Sequence, residues 1–194
     1  MSGRHTRTLL LVSLALTSFH LAPAEMPEAA VLVRAPEQAV RSYFEARSTG
    51  LSNADVARLA PVVVAEAARA GLTPAMILAV IEVESGGRTR ARSHRNALGL
   101  MQIRPQTGRA LALEAGLPWS GPETLYDPVA NVRLGVRYLE KLVARFGDVP
   151  TALAAYNAGP TRVAGLLRTG APVPKGYARR VLSTWGAPEL GTEI

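Results

Sequence analysis

From residue 53 almost to the C-terminus, apolar residues recur at helical spacing. Val132, Val136, Leu139, Leu142, Val143 and Phe146 fall on one stripe, which predicts a helix that Asp127-Pro128 opens and Gly147 ends. Thr73-Pro74 makes the same opening for a second, apolar helix, because Thr caps well and Pro suits the first helical position. Asn53 caps a helix that runs to about Ala70 and stops at Gly71. Pro61 lies inside it and predicts a kink or a late start. Further helices are expected over residues 105–115, 150–158, 160–168 and 175–185. No alternation of period two predicts a strand, so the fold class is all-α.

The first 51 residues have a different texture. Residues 25–51 are rich in Ala, Glu and Arg and are interrupted by Pro27 and Pro36, which reads as a linker with one short helix near Glu37–Ala46. Before them come Arg4 and Arg7, an apolar run from Leu9 to Leu16, and the small-residue site Ala22-Pro23-Ala24. This is the layout of a secretory signal peptide, with cleavage expected after Ala24. The apolar run is well short of the roughly 18–20 residues that a membrane-spanning helix needs. The expected division is thus a signal peptide over 1–24, a linker or short helix over 25–51, a folded domain over 52–188 and a tail over 189–194. An exported, periplasmic protein is expected.

Composition narrows the chemistry. With no cysteine, the chain has no disulfide, no thiolate metal ligand and no thiol nucleophile. Its formal charge is +7, carried almost wholly by arginine, which suits an anionic partner without choosing one. No nucleic-acid motif accompanies the charge, so nucleic acid is not an expected partner.

The apolar stretch AVIEVESGG at residues 79–87 carries two glutamates. On a helix they lie about 160° apart, so one cannot replace the other. Glu84 shares the face of Ile77, Val80 and Ile81 and stands at the helix C-terminus. Apolar neighbours and the negative end of the helix dipole both raise a carboxyl pKa. A carboxyl kept protonated near neutral pH is what a general acid must be. Glu82 faces the other way, toward a weaker contact or solvent. Two plain surface glutamates at a helix end are the alternative.

Beyond Glu84 the sequence continues with Ser85-Gly86-Gly87 and an Arg-rich polar loop, with four arginines between Arg88 and Arg95. Ser93 and Gln102 are side chains that hydrogen-bond sugar hydroxyls and amides. Farther on, Tyr156 and Asn157 stand side by side at a helix end and offer a ring face and an amide. In order, the segments TPAMILAVIEVESGG, SHRNALGLMQIRPQTG, LYDPVANVRLGVRYLEKL, TALAAYNAGP and KGYARRV resemble the catalytic domain of the lytic transglycosylases of the soluble type. The resemblance covers about residues 53–185.

That resemblance implies a goose-type lysozyme-like helical domain with an extended substrate groove. It implies Glu84 as the single catalytic acid/base. It implies a substrate-binding set of Ser93, Gly99, Met101, Gln102, Tyr156 and Asn157, with Leu100 in the same GLMQ segment. Gln102 would contact the sugar, and the Tyr177 hydroxyl would approach the catalytic carboxyl. Two positions depart from the family pattern. Asn96 stands for the usual Gly, a change that a left-handed turn tolerates. Arg104 stands where many relatives have an apolar residue.

The family's reaction cuts the β-1,4 bond between N-acetylmuramic acid and N-acetylglucosamine in peptidoglycan and closes a 1,6-anhydro ring. Glu84 would act first as acid and then as base, with no cofactor and no metal. Ordinary glycosidases use two carboxylates. Glu114, Glu123, Asp127 and Glu140 are the candidates for a second, which would make the protein a hydrolytic muramidase. A wall-binding or assembly protein that cuts nothing is the remaining alternative. Peptidoglycan strands are the expected partner of a monomer. A cell-envelope secretion, conjugation or flagellar apparatus is the candidate protein partner.

Overall fold

The computed structural model describes residues 28–184. Both the expected signal peptide and the expected tail lie outside them. Eight α-helices follow in order: α1 (Glu28–Glu45), α2 (Asn53–Arg69), α3 (Pro74–Ser85), α4 (Pro105–Glu114), α5 (Pro128–Phe146), α6 (Val149–Ala158), α7 (Pro160–Arg168) and α8 (Gly176–Thr184). A short 3₁₀ turn at Pro122–Tyr126 precedes α5. Among the described residues there is no strand; the loop between α3 and α4 holds two isolated bridges, Arg92 with Leu98 and Leu98 with Ile103.

Local chemistry sets most of these boundaries. The Thr73 side chain accepts from Met76 N at 3.2 Å, and Asp127 accepts from Ala130 N at 2.7 Å, each just ahead of a proline at the first turn. Both helices stop at a left-handed glycine, Gly86 at φ 59° and Gly147 at φ 84°. The cap of α2 is Ser52 rather than Asn53, because Ser52 and Asp55 form a reciprocal capping box. α2 runs through Pro61 unbroken. A proline there cannot donate to the carbonyl four residues back, and Arg41 of α1 supplies a donor to that Ala57 oxygen at 3.5 Å.

The segment expected to be a linker with one short helix is the 18-residue α1. Its Val40, Tyr43 and Phe44 are buried at i, i+3 and i+4 against α2 and α3. Helix α3 is apolar on all sides, and Met76 through Ile81 are all buried, so it runs through the middle of the core. α1 and α2 cover it on one side, and α8 packs on it from the other. α5 lies along α2 and α6 and buries Val132, Leu134, Val136, Leu139 and Leu142. The C-terminal end of α3 therefore emerges between α8 and the α3–α4 loop, with its last turn held firmly.

Candidate active site

The last turn of α3 carries Glu84 to a groove of about 540 Å³. Glu84 is half-buried, and the Tyr177 hydroxyl of α8 donates to its Oε1 at 2.6 Å. Burial pushes the Glu84 pKa up, opposed by the Tyr177 hydrogen bond and by the positive charge of Arg180. Tyr177 is 5% exposed, and burial together with the Glu84 charge holds its own pKa well above the usual phenol range. It therefore stays protonated and remains a donor. Arg180 sits one turn further along α8, with its guanidinium 5.7 Å from the Tyr177 ring.

Glu82 has a different task on the opposite side of α3. It accepts from the Tyr43 hydroxyl at 2.6 Å and from Arg47 Nε at 3.0 Å. Arg47 also donates to Tyr43 O at 2.9 Å and lies 3.9 Å over its ring. The carboxylate expected to face solvent or a weak contact is thus the anchor of α1 on α3. Neither Tyr43 nor Arg47 stood out in the sequence, although the spacing of Val40, Tyr43 and Phe44 was a signal for a buried helical face.

One wall of the groove is the α3–α4 loop. Ser93 closes a tight turn: its N donates to Ala97 O at 3.0 Å, and its Oγ accepts from Ala97 N at 3.0 Å. Asn96 occupies the left-handed region at φ 60°, as the departure from Gly requires. Gln102 is also left-handed, at φ 49°, and its Nε2 donates to Ala91 O at 3.1 Å and Gly99 O at 3.0 Å. Both amide hydrogens are used on the loop, so the amide oxygen is what Gln102 can offer a ligand.

Two residues that the sequence did not single out hold this wall in place. The fully buried Asn131 donates to Leu98 O at 2.9 Å and to Leu125 O at 2.8 Å, and accepts from Met101 N at 2.8 Å. Ser85 donates to Leu100 O at 2.8 Å and ties the loop to the residue after Glu84. The signal for Asn131 was a polar residue on the buried stripe of α5, four before Gly135 and eight before Leu139.

The structure places Glu84, Ser93, Gln102, Tyr156 and Asn157 together along the groove. Tyr138, Thr107, Arg95 and Arg104 complete much of the lining. Gly99 and Met101 do not line it. Gly99, at φ 76°, packs so tightly that a Cβ would collide with Leu125 O and Asn131 Nδ2. Met101 is fully buried against the bare Cα of Gly135 and contributes its carbonyl, which accepts from the Tyr156 hydroxyl at 2.7 Å. With its hydroxyl turned to the loop, Tyr156 presents its ring to the groove, tilted against Tyr138 at 5.2 Å between centroids. Tyr177 reaches the site through Glu84.

Among the described residues, Glu84 is the single carboxylate in the lining. Glu114 pairs with Lys141, Glu140 pairs with Arg69, and Asp127 caps α5, while Glu123 lies in the 3₁₀ turn away from the groove. Among the described residues, no three His, Asp or Glu side chains converge as metal ligands.

Residues 61–170 match the sequence model of the transglycosylase SLT domain. The transglycosylase of Enterobacteria phage PRD1 is 37% identical over 95 residues, which are 49% of this chain and 32% of that protein. The soluble lytic murein transglycosylase of Escherichia coli K12 is 38% identical over 88 residues, 44% of this chain and 14% of the relative. The chain thus spans about a third or less of the length of these relatives. Among solved structures, an inactive glutamate-to-glutamine mutant of the lytic transglycosylase Slt from Pseudomonas aeruginosa superposes with a TM-score of 0.54 at 29% identity, over 79% of this chain and 25% of that one. The 70 kDa soluble lytic transglycosylase of Escherichia coli gives 0.56 at 23% identity, over 80% of this chain and 29% of that one, a likeness that bears on the fold alone. The helical arrangement described above is the lysozyme-like fold of these enzymes.

Proposed function

The chain belongs to the transglycosylase SLT domain family, and from that membership we propose that it is a peptidoglycan lytic transglycosylase with Glu84 as its one acid and base. A glycan strand lies along the groove with a scissile β-1,4 bond over Glu84. The protonated carboxyl donates to the glycosidic oxygen, and the bond from muramoyl C1 to that oxygen breaks. The substrate's own acetamido group shields the positive charge left at C1. Glu84, now ionised, removes the proton from the muramoyl 6-hydroxyl, whose oxygen bonds to C1 and closes the 1,6-anhydro ring. The carboxyl ends as it began, and no water is consumed.

The observation that carries this reading is that, among the described residues, the groove holds a single carboxylate, half-buried, with its pKa raised and its orientation set by Tyr177. Hydrolysis in the ordinary manner calls for a second carboxylate to activate water or to attack the sugar. Ser93, the Gln102 amide oxygen, the Tyr156 ring and Asn157 are assigned to holding the sugars. Gly99 and Met101 act through the backbone turn they form, and Tyr177 acts by positioning Glu84. General acid–base catalysis of this kind contributes about 10²–10⁴-fold, and positioning in the groove adds to it.

The remaining assignments follow from the same reading. Residues 1–24 export the chain to the periplasm, residues 52–188 form the catalytic domain, and α1 braces it from the reverse side of α3. It works as a monomer on peptidoglycan, with a secretion, conjugation or flagellar apparatus as the protein partner. The test is digestion of purified peptidoglycan followed by mass spectrometry. Anhydro-muramoyl ends are expected, whereas reducing ends one water heavier would identify a hydrolytic muramidase, and no release at all would identify a binding protein.

A further inference from the structure

Charge is unevenly distributed along the domain, and the unevenness follows the groove. After Glu84 come 29 residues, 85–113, with six arginines and no acid. They form the α3–α4 loop and most of α4, which supply one part of the groove lining. Residues 149–184 hold five basic residues and again no acid. They form α6, α7 and α8, which bring Tyr156 and Asn157 to the groove and Tyr177 to Glu84. The rest of the described chain, 28–84 and 114–148, holds nine basic and twelve acidic residues.

Ion pairing follows the same division. Among the described residues, every ion pair is made by a basic residue outside the two acid-free segments: Arg47, Arg58, Arg69, Arg133 or Lys141. The eleven basic residues inside the segments are all exposed, and none of them belongs to an ion pair. The loop that carries Arg88, Arg90 and Arg92 is held in place, since Thr89 N donates to Thr49 O at 3.1 Å and Gly99 N to Ala91 O at 2.9 Å. Its guanidinium groups therefore stand on an ordered support. Like charges at this density repel one another, and an extended anionic surface relieves that repulsion.

The large apolar side chains that the described residues expose fall in the same two segments. Leu113 is 83% exposed, one turn beyond Arg109 on α4, and Leu167 is 50% exposed, next to Arg168 on α7. A leucine beside a guanidinium suits a lipid interface, where the apolar group meets the acyl boundary and the cation meets phosphate. A soluble polyanion such as nucleic acid gives the leucines nothing to contact. The exported setting proposed above brings lipid headgroups within reach.

We propose that segments 85–113 and 149–184 form a peripheral docking surface for a bilayer of anionic phospholipid, with Arg88, Arg90 and Arg92 on its phosphates and Leu113 and Leu167 at its apolar boundary. This goes beyond the lytic reading and takes from it only the exported location. The binding needs no cleavage.

The experiment is co-sedimentation of the full chain with vesicles of phosphatidylglycerol and phosphatidylcholine in equal parts, and with vesicles of phosphatidylcholine alone. Binding to the anionic vesicles is expected at low ionic strength and should be lost at about 0.5 M salt, where charges are screened within a few ångströms. Neutralising Arg88, Arg90 and Arg92 together to Gln is expected to lower the partition coefficient about fivefold for each arginine, or about a hundredfold. A control neutralises the paired residues Arg58, Arg133 and Lys141 to Gln, which removes the same charge elsewhere, and should bind within about twofold of the wild type. Thermal melts establish that both variants are folded. Equal binding to neutral vesicles, equal losses in the two triple variants, or a preference for duplex DNA over the anionic vesicles overturns the proposal. Should the protein release no glycan, the lytic reading fails and the vesicle result still decides this one.

Discussion

The Tyr177 hydroxyl donates to Glu84 Oε1 at 2.6 Å, across 93 residues of sequence. It stabilises the ionised carboxyl while burial favours the neutral one. The Glu84 carboxyl is therefore poised by two opposed influences, its burial at the end of α3 and a donor from α8.

Removing the donor should move the balance in one direction. Tyr177→Phe takes away an interaction that lowers the Glu84 pKa, so the carboxyl stays protonated to higher pH. In the pH profile of kcat/KM, the alkaline limb is expected to shift upward, and Arg180→Gln is expected to shift it the same way. A downward shift in either variant would contradict the assignment of Glu84 as the acid.

The two glutamates of α3 should separate function from stability. Glu84→Gln is expected to lower strand cleavage by about 10²–10⁴-fold. Glu82→Gln should retain most of the activity, because it faces away from the groove, but should weaken the lock to Tyr43 and Arg47 by about 1–2 kcal/mol. Chemical denaturation and a cleavage assay on both variants check the pair of outcomes.

Glu84→Gln should also be more stable than the wild type at neutral pH. A carboxyl whose pKa is raised by folding favours the folded state most when protonated, below its ordinary value of 4.5, and that contribution is lost as pH rises through the folded pKa. The gain in Tm of the glutamine variant is thus expected to be largest near pH 7 and to close below 4.5. A gap that grows on acidification would reverse the sign.

Asn131 should prove as sensitive as a large core residue. Asn131→Ala removes the side-chain partner of Met101 N and Leu125 O and leaves Leu98 O only its bond from Ile103 N, at a cost of about 3 kcal/mol. Gly99→Ala drives a methyl group into Asn131 and the Leu125 carbonyl from a left-handed backbone, and is expected to cost at least as much. Urea unfolding of both variants measures this, together with loss of activity as the Gln102 turn loosens.

How much could be read in advance depended on the range of the interactions. Thr73-Pro74 and Asp127-Pro128 are local capping devices, legible within a few residues, and the helices they start are where the pattern put them. The apolar face of Glu84 was equally local. The α1 lock was not, because Pro36 masked a helix whose worth lies in contacts of Tyr43 and Arg47 with Glu82, 39 and 35 residues away. Asn131 is similar: nothing near it in sequence says that its amide will bridge a loop 30 residues earlier. Met101 misled in the opposite direction. Its place in a groove-lining segment suggested a ligand contact, whereas the turn aims its side chain at Gly135 and leaves only its carbonyl for the site.

Glu84 precedes its phenol partner by 93 residues, and that partner stands in the last described helix. A partly translated chain already holds Glu84 but lacks α8 and, for much of that time, the Tyr156 wall as well. The contact between the two thus arises only once α8 has docked against α3, so a ribosome must finish α8 before the carboxyl gains its donor.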